Sequence, residues 1–200
     1  MGGPELRPRL EVAGASRPFP GETENGDSWA VWESAHGPRV AVIDGLGHGP
    51  PAAEAAAQLR RLLLDGPDEP LGQVVERAAR RMQGGRGAVA AVVEAGAQRL
   101  TFLGLGNVEG RLWQPGREQR LVGERGFFGG VPRSARALTF EVAGVWSLYL
   151  YTDGISSRFP LPLDGSGQEP QAVVDAILEG HARATDDATV VLVRDAAGAW

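Results

Sequence analysis

Apolar runs rich in Val, Leu, Ile and aromatic side chains recur at Trp29 to Trp32, Val40 to Ile43, Ala88 to Val93, Leu100 to Leu105, Gly110 to Trp113, Leu138 to Val142, Ser147 to Tyr151 and Thr189 to Val193. Their length and β-branched content predict strands. Pro51 to Leu64, Leu71 to Met82 and Pro170 to Leu178 instead place apolar residues at helical spacing, and the first opens on prolines suited to a first helical turn. The alanines of Ala52 to Ala57 let that helix pack closely on a sheet. Asp65 to Pro70, Gly84 to Gly87 and Leu161 to Gly167 read as loops, none long enough to separate independently folding units. Two helices in succession interrupt a long series of strands, which is not the regular alternation of a doubly wound parallel sheet. An α+β sandwich is predicted, with residues 1–200 as one domain.

Composition narrows the chemistry. The chain has 200 residues, 42% of them hydrophobic and 22% charged, the proportions of a globular protein with a sizeable core. Its formal charge is -5 and its 20 Lys and Arg residues are scattered, so no basic stripe marks a nucleic-acid partner. No run reaches the roughly 18 apolar residues a membrane-spanning helix needs. Met1 to Leu10 lacks the apolar centre of a secretory signal, and a cytoplasmic location without a membrane partner is expected. There is no cysteine, which excludes disulfides, thiolate metal sites and a cysteine nucleophile. Oxygen and imidazole ligands remain, and they favour hard metals.

Three acidic segments, far apart in sequence, share one logic. In Val40-Ala-Val-Ile-Asp44-Gly-Leu-Gly-His48-Gly49 an apolar strand ends in an aspartate and opens into a glycine-rich turn before a helix. Glycines there allow a carbonyl to approach an ion held by side-chain and main-chain oxygens, although Asp44 could equally cap the following segment. Leu148-Tyr-Leu-Tyr-Thr-Asp153-Gly154 is a second strand ending in Asp-Gly, and Asp186-Asp187 precedes the last strand. Taken alone, Asp186 and Asp187 read as a solvated turn. Gathered with Asp44 and Asp153 they point to one metal centre, because carboxylates without a cation repel one another.

The ordered set resembles the metal-dependent protein phosphatases of the type 2C superfamily, in particular the bacterial branch of the sporulation stage II E and RsbX-like stress-response phosphatases. The matching residues are Arg17-Pro-Phe-Pro-Gly21-Glu22 with Asn25-Gly26-Asp27, Asp44 to Gly49, Gly106-Asn-Val108, Tyr151 to Gly154 and Asp186 to Val191. The resemblance implies a four-layer α-β-β-α sandwich of two packed antiparallel sheets, with two Mn²⁺ or Mg²⁺ ions at one edge. By matching motif, Asp44 would bridge the ions, the Gly45 carbonyl would complete one, and Asp153 and Asp186 would bind the other. Asp27 would act through water or from behind the ligands. Two metals about 4 Å apart activate a water and neutralise phosphoryl charge, so no protein nucleophile is required.

The substrate implied is phosphoserine or phosphothreonine on a regulatory protein, such as a stressosome or anti-sigma-antagonist component. A metal-binding module that regulates partners without turnover is the alternative. A nucleotide-binding reading of the Asp44 to Gly49 segment expects an Asn-bearing helix before it, and here a strand precedes it.

Two positions depart from the family pattern. Gly26 stands where larger relatives carry a metal-site glutamate, and Leu46 where a histidine is often proposed as general acid. His48 could supply that proton or simply pack in its loop. Arg17 could grip phosphate or lie on the surface. Gly116 to Arg136, centred on Gly126-Phe-Phe-Gly-Gly130, reads either as a substrate-facing flap or as an ordinary loop with a buried aromatic pair.

Overall fold

The computed structural model describes residues 10–130, 136–161 and 168–195. Met1 to Leu10 apart from Leu10, the loop Leu161 to Gly167 apart from Leu161, and residues 131–135 near the end of Gly116 to Arg136 lie outside them.

Among the described residues, ten strands and three helices follow in the order β1 (Leu10–Arg17), β2 (Asp27–Trp32), β3 (Arg39–Gly45), α1 (Pro50–Leu64), α2 (Leu71–Arg81), β4 (Ala88–Ala95), β5 (Arg99–Leu105), β6 (Glu109–Gln114), β7 (Arg117–Val122), β8 (Leu138–Glu141), β9 (Ser147–Tyr151), α3 (Pro170–His181) and β10 (Ala188–Asp195). They form two five-stranded sheets, ordered β1-β10-β9-β6-β7 and β2-β3-β4-β5-β8. Every strand pair is antiparallel.

The period of two along each strand decides the layering. In β3, Val40 and Val42 join the core between the sheets, while Ala41 and Ile43 join the core beneath α1 and α2. In β10, Val191 and Val193 face the inter-sheet core, and Val190 and Leu192 pack in the third core with Val173, Val174 and Ile177 of α3. Central strands are therefore buried on both faces, which is why they read as unbroken apolar runs. The result is the expected α-β-β-α sandwich.

Two strands escape the hydrophobic pattern. The Leu10–Arg17 segment is rich in small residues and has one β-branched side chain, yet it pairs with β10 from Leu10↔Asp195 to Arg17↔Ala188. Register with a strong neighbour, not its own composition, makes it a strand. The Arg117–Val122 segment is charged and mostly exposed because β7 is an edge strand. The loop expected over Gly116 to Arg136 is thus corrected at its start. Its aromatic pair splits: Phe128 is fully buried under α1 and α2 and exchanges backbone hydrogen bonds with Ala88, while Phe127 is 40% exposed.

Arg39 is fully buried at the start of β3. Its Nε donates to Glu94 Oε2 at 2.7 Å, Nη1 to the Pro67 carbonyl at 2.9 Å and Nη2 to the Glu69 carbonyl at 2.7 Å, so one side chain ties the α1–α2 loop to the sheet. Arg39→Met should cost about 3–5 kcal/mol, because it strands a carboxylate and two carbonyls without their donor. Urea denaturation at neutral pH checks this.

Candidate metal centre

The sandwich brings one end of each sheet to a common edge. In the β2–β3 hairpin, Asp27 lies directly opposite Asp44. In the other sheet β9 and β10 are neighbours; Thr152 and Asp153 follow β9, and Asp186 and Asp187 precede β10. Thr152 links the sheets: its hydroxyl donates to Asp27 Oδ2 at 2.8 Å and accepts the Thr189 N–H at 3.0 Å. Asp27, Asp44, Asp153, Asp186 and Asp187 consequently act on one another electrostatically.

Burial, then the charges of Asp27, Asp153, Asp186 and Asp187, push the Asp44 carboxyl up to about 8. Burial also pushes Asp27 up to about 7, against hydrogen bonds from Thr152 and Thr189. Asp186 is raised by burial and by Asp153. Asp187 is buried; its Oδ1 accepts the Phe19 N–H at 2.8 Å, while its Oδ2 has no hydrogen-bond partner. An orphaned buried carboxylate oxygen inside a cluster of like charges fits a bound cation, and a donor set made of oxygen fits a hard one. Among the described residues, no three acidic or imidazole side chains already form a closed ligand set, so carbonyl and water oxygens would complete the coordination.

The raised values carry a pH prediction for the metal-free protein. With Asp27 and Asp44 titrating above the ordinary 3.8, the folded chain holds more protons than the unfolded one between that value and about 8. Stability therefore falls as pH rises through this window. Thermal melts in chelator should show a lower midpoint at about pH 8 than at about pH 5, with a larger gain on adding Mg²⁺ at the higher pH.

The remaining expectations find their places. Asp44 does not cap α1, whose N-cap is Gly49 without a side-chain bond. Leu46 packs against the inter-sheet core, so position 46 offers the site no proton donor. Gly26 has no room for a glutamate: a Cβ there would lie 2.5 Å from Asp187 Oδ2 and 3.0 Å from the Ala52 Cβ. Arg17 donates to the Pro18 carbonyl at 3.3 Å and to the Arg183 carbonyl, which ties its guanidinium to backbone. His48 stands at the rim, its Nδ1 2.9 Å from Glu22 Oε1.

Two residues were given no role by sequence reasoning. Thr152 is the link between the sheets, and Asn107 donates through Nδ2 to Asp153 Oδ2 at 2.7 Å. Both lie inside motifs that the resemblance had matched, Tyr151 to Gly154 and Gly106 to Val108, and that is the signal that could have found them.

The sequence profile of the family described as Stage II sporulation protein E (SpoIIE) matches residues 34–195. The chain belongs to the SpoIIE family. This SpoIIE-family chain is 25% identical over 155 residues to the phosphoserine phosphatase RsbX of Bacillus subtilis (strain 168), covering 76% of this chain and 78% of the relative. A solved chain from work on the bacterial stressosome, described as a modular system adapted to control secondary messenger signaling, superposes with a TM-score of 0.86. It is 26% identical and covers 93% of this chain and 100% of its own length. The crystal structure of RsbX in complex with magnesium superposes at 0.80 with 23% identity, over 94% of this chain and 96% of that one. The SpoIIE-family chain shares their sandwich fold.

Proposed function

We propose that this chain is a metal-dependent phosphoserine/phosphothreonine protein phosphatase. The observation that carries it is the gathering of Asp27, Asp44, Asp153, Asp186 and Asp187 from both sheets at one edge, with a buried Asp187 oxygen left unpaired. The likeness to a phosphoserine phosphatase supports the same activity.

Two Mn²⁺ or Mg²⁺ ions would suit the site, held by Asp44, the Gly45 carbonyl, Asp153 and Asp186, with Asp27 acting through water or from behind these ligands. When bound, such ions supply a water acidic enough to attack phosphorus and positive charge against the phosphoryl oxygens. The chain's own role is to hold the carboxylates in place. Asn107 aims Asp153, Thr152 aims Asp27, and the Asp187 main-chain N–H holds Asp186 Oδ1 at 3.0 Å. Each leaves one carboxylate oxygen available to a ligand.

Residues 1–200 act in this reading as one domain in the cytoplasm. Among the described residues no helix is long and apolar enough to cross a membrane. The partner is a phosphorylated regulatory protein, such as a stressosome or anti-sigma-antagonist component, a reading supported by the stressosome chain and by RsbX. Mn²⁺-dependent phosphate release from a phosphoserine protein tests the activity. Metal binding without turnover would favour a regulatory module instead.

A further inference from the structure

The departure at Leu46 leaves open what protonates the leaving oxygen. Serine leaves phosphorus as an alkoxide unless a proton reaches it, so a donor matters far more for a seryl phosphate than for an aryl phosphate.

The sequence Phe19-Pro20-Gly21-Glu22 has the composition of a type II turn, with proline second and glycine third. The structure forms that turn: the Glu22 N–H donates to the Phe19 carbonyl at 3.0 Å, and Gly21 has φ 96°. The first and last residues of the turn both hold the imidazole of His48. Phe19 stacks on it with ring centroids 4.5 Å apart and planes 18° from parallel, and Glu22 Oε1 accepts its Nδ1–H at 2.9 Å. The turn is itself anchored to the acidic cluster, because the Phe19 N–H donates to Asp187 Oδ1 at 2.8 Å. Gly49, next to His48, lies so close that a Cβ on it would stand 2.9 Å from the Glu22 carboxyl carbon. His48 and Glu22 are 53% and 30% exposed, and a pair so open to solvent adds little to stability. A carboxylate on Nδ1 orients the ring and leaves Nε2 on its opposite side, where the imidazolium carries its second proton. Because Phe19, stacked on the imidazole, is hydrogen-bonded to Asp187, the ring lies beside the acidic cluster.

We infer that Glu22, on a preformed turn, is the positioning residue that aims His48 Nε2 at the leaving oxygen of the substrate, supplying the proton donor that Leu46 cannot. This rests on the phosphatase reading. As the oxygen of water bonds to phosphorus, the bond from phosphorus to the seryl oxygen breaks. The seryl oxygen takes the Nε2 proton, and the proton released by the water restores the imidazolium. The products are serine and inorganic phosphate.

The test compares kcat on a phosphoserine peptide and on 4-nitrophenyl phosphate, whose nitrophenolate departs without a proton. Wild type, Glu22→Gln, His48→Gln and the double variant are measured in saturating Mn²⁺, alongside melting temperature and Mn²⁺ affinity. The ratio of the peptide rate to the nitrophenyl rate is expected to fall at least about tenfold in each single variant, general acids contributing about 10²–10⁴-fold. The double variant is expected to fall no further than His48→Gln, since the pair acts as a unit. Equal losses on both substrates, or a Glu22→Gln ratio matching wild type, overturn the proposal. A wild type inactive on both substrates overturns the phosphatase reading itself, and this proposal with it.

Discussion

Asp44→Asn is expected to abolish metal-dependent phosphate release while raising the stability of the metal-free protein. The carboxylate is half-buried and faces Asp27, Asp153, Asp186 and Asp187, which together with burial push it up to about 8. An amide removes that like-charge strain, so the variant should melt higher than wild type in chelator at about pH 8. It also removes the oxygen charge that best draws two cations together. Mn²⁺ affinity and kcat should each drop by about 10²-fold or more, since even partners behind the ligands contribute 10–100-fold. Isothermal titration with Mn²⁺ and colorimetric phosphate release read the two losses. A gain in metal-free stability beside a loss of turnover separates removal of a ligand from misfolding. A variant that melts lower than wild type in chelator would contradict this account of the Asp44 environment.

Gly154→Ala is expected to damage fold and site together. A Cβ at position 154 would lie 1.8 Å from the Asp187 carbonyl oxygen and 2.8 Å from its carbon, both backbone atoms with no rotamer in which to retreat. The Asp153–Gly154 loop and the Asp186–Asp187 loop would have to separate. The Gly154 carbonyl also accepts the Arg183 N–H at 2.7 Å, a bond that such a shift disturbs. Overpacking of this kind costs about 1–3 kcal/mol, and here it also moves Asp153 away from Asp186. Chemical denaturation should show the loss, and Mn²⁺ titration a weakened site. The same exchange at Gly180, exposed within α3 with nothing within 4 Å of an added Cβ, should instead stabilise by about 0.4–1 kcal/mol. Opposite signs for one chemical change would locate the effect in the contact at position 154.

Of the ten strands among the described residues, eight were legible in hydrophobic pattern, as were the three helices; all but the edge strand β8 bury at least one face, and most central strands bury two. Ser147–Tyr151 lies where its apolar run predicted, and α1 begins one residue before the expected Pro51. The strands that pattern did not reveal are held by neighbours: β1 by register with β10, and β7 by pairing with β6 at an open edge. Pattern reports what a segment buries, and neither of these makes its own case by burial.

The site divides in the same way. Chemistry and spacing in the chain alone nominated Asp44 and Asp153, because an aspartate at the end of an apolar strand, followed by glycine, is a local signature, and the Asp186–Asp187 pair, because adjacent carboxylates call for a cation. The resemblance added Asp27, Gly45 and the likeness to phosphatases. Only the tertiary structure set Asp27 opposite Asp44, joined it to the other sheet through Thr152, and aimed Asn107 at Asp153. It also gave Gly26 its reason, close approach to Asp187, and seated His48 between Phe19 and Glu22. Hydrogen bonds spanning 46 to 125 residues of chain leave no periodic trace in sequence. They arise because two sheets pack face to face and bring their loop ends to one edge, which makes neighbours of residues that local propensity treats as unrelated.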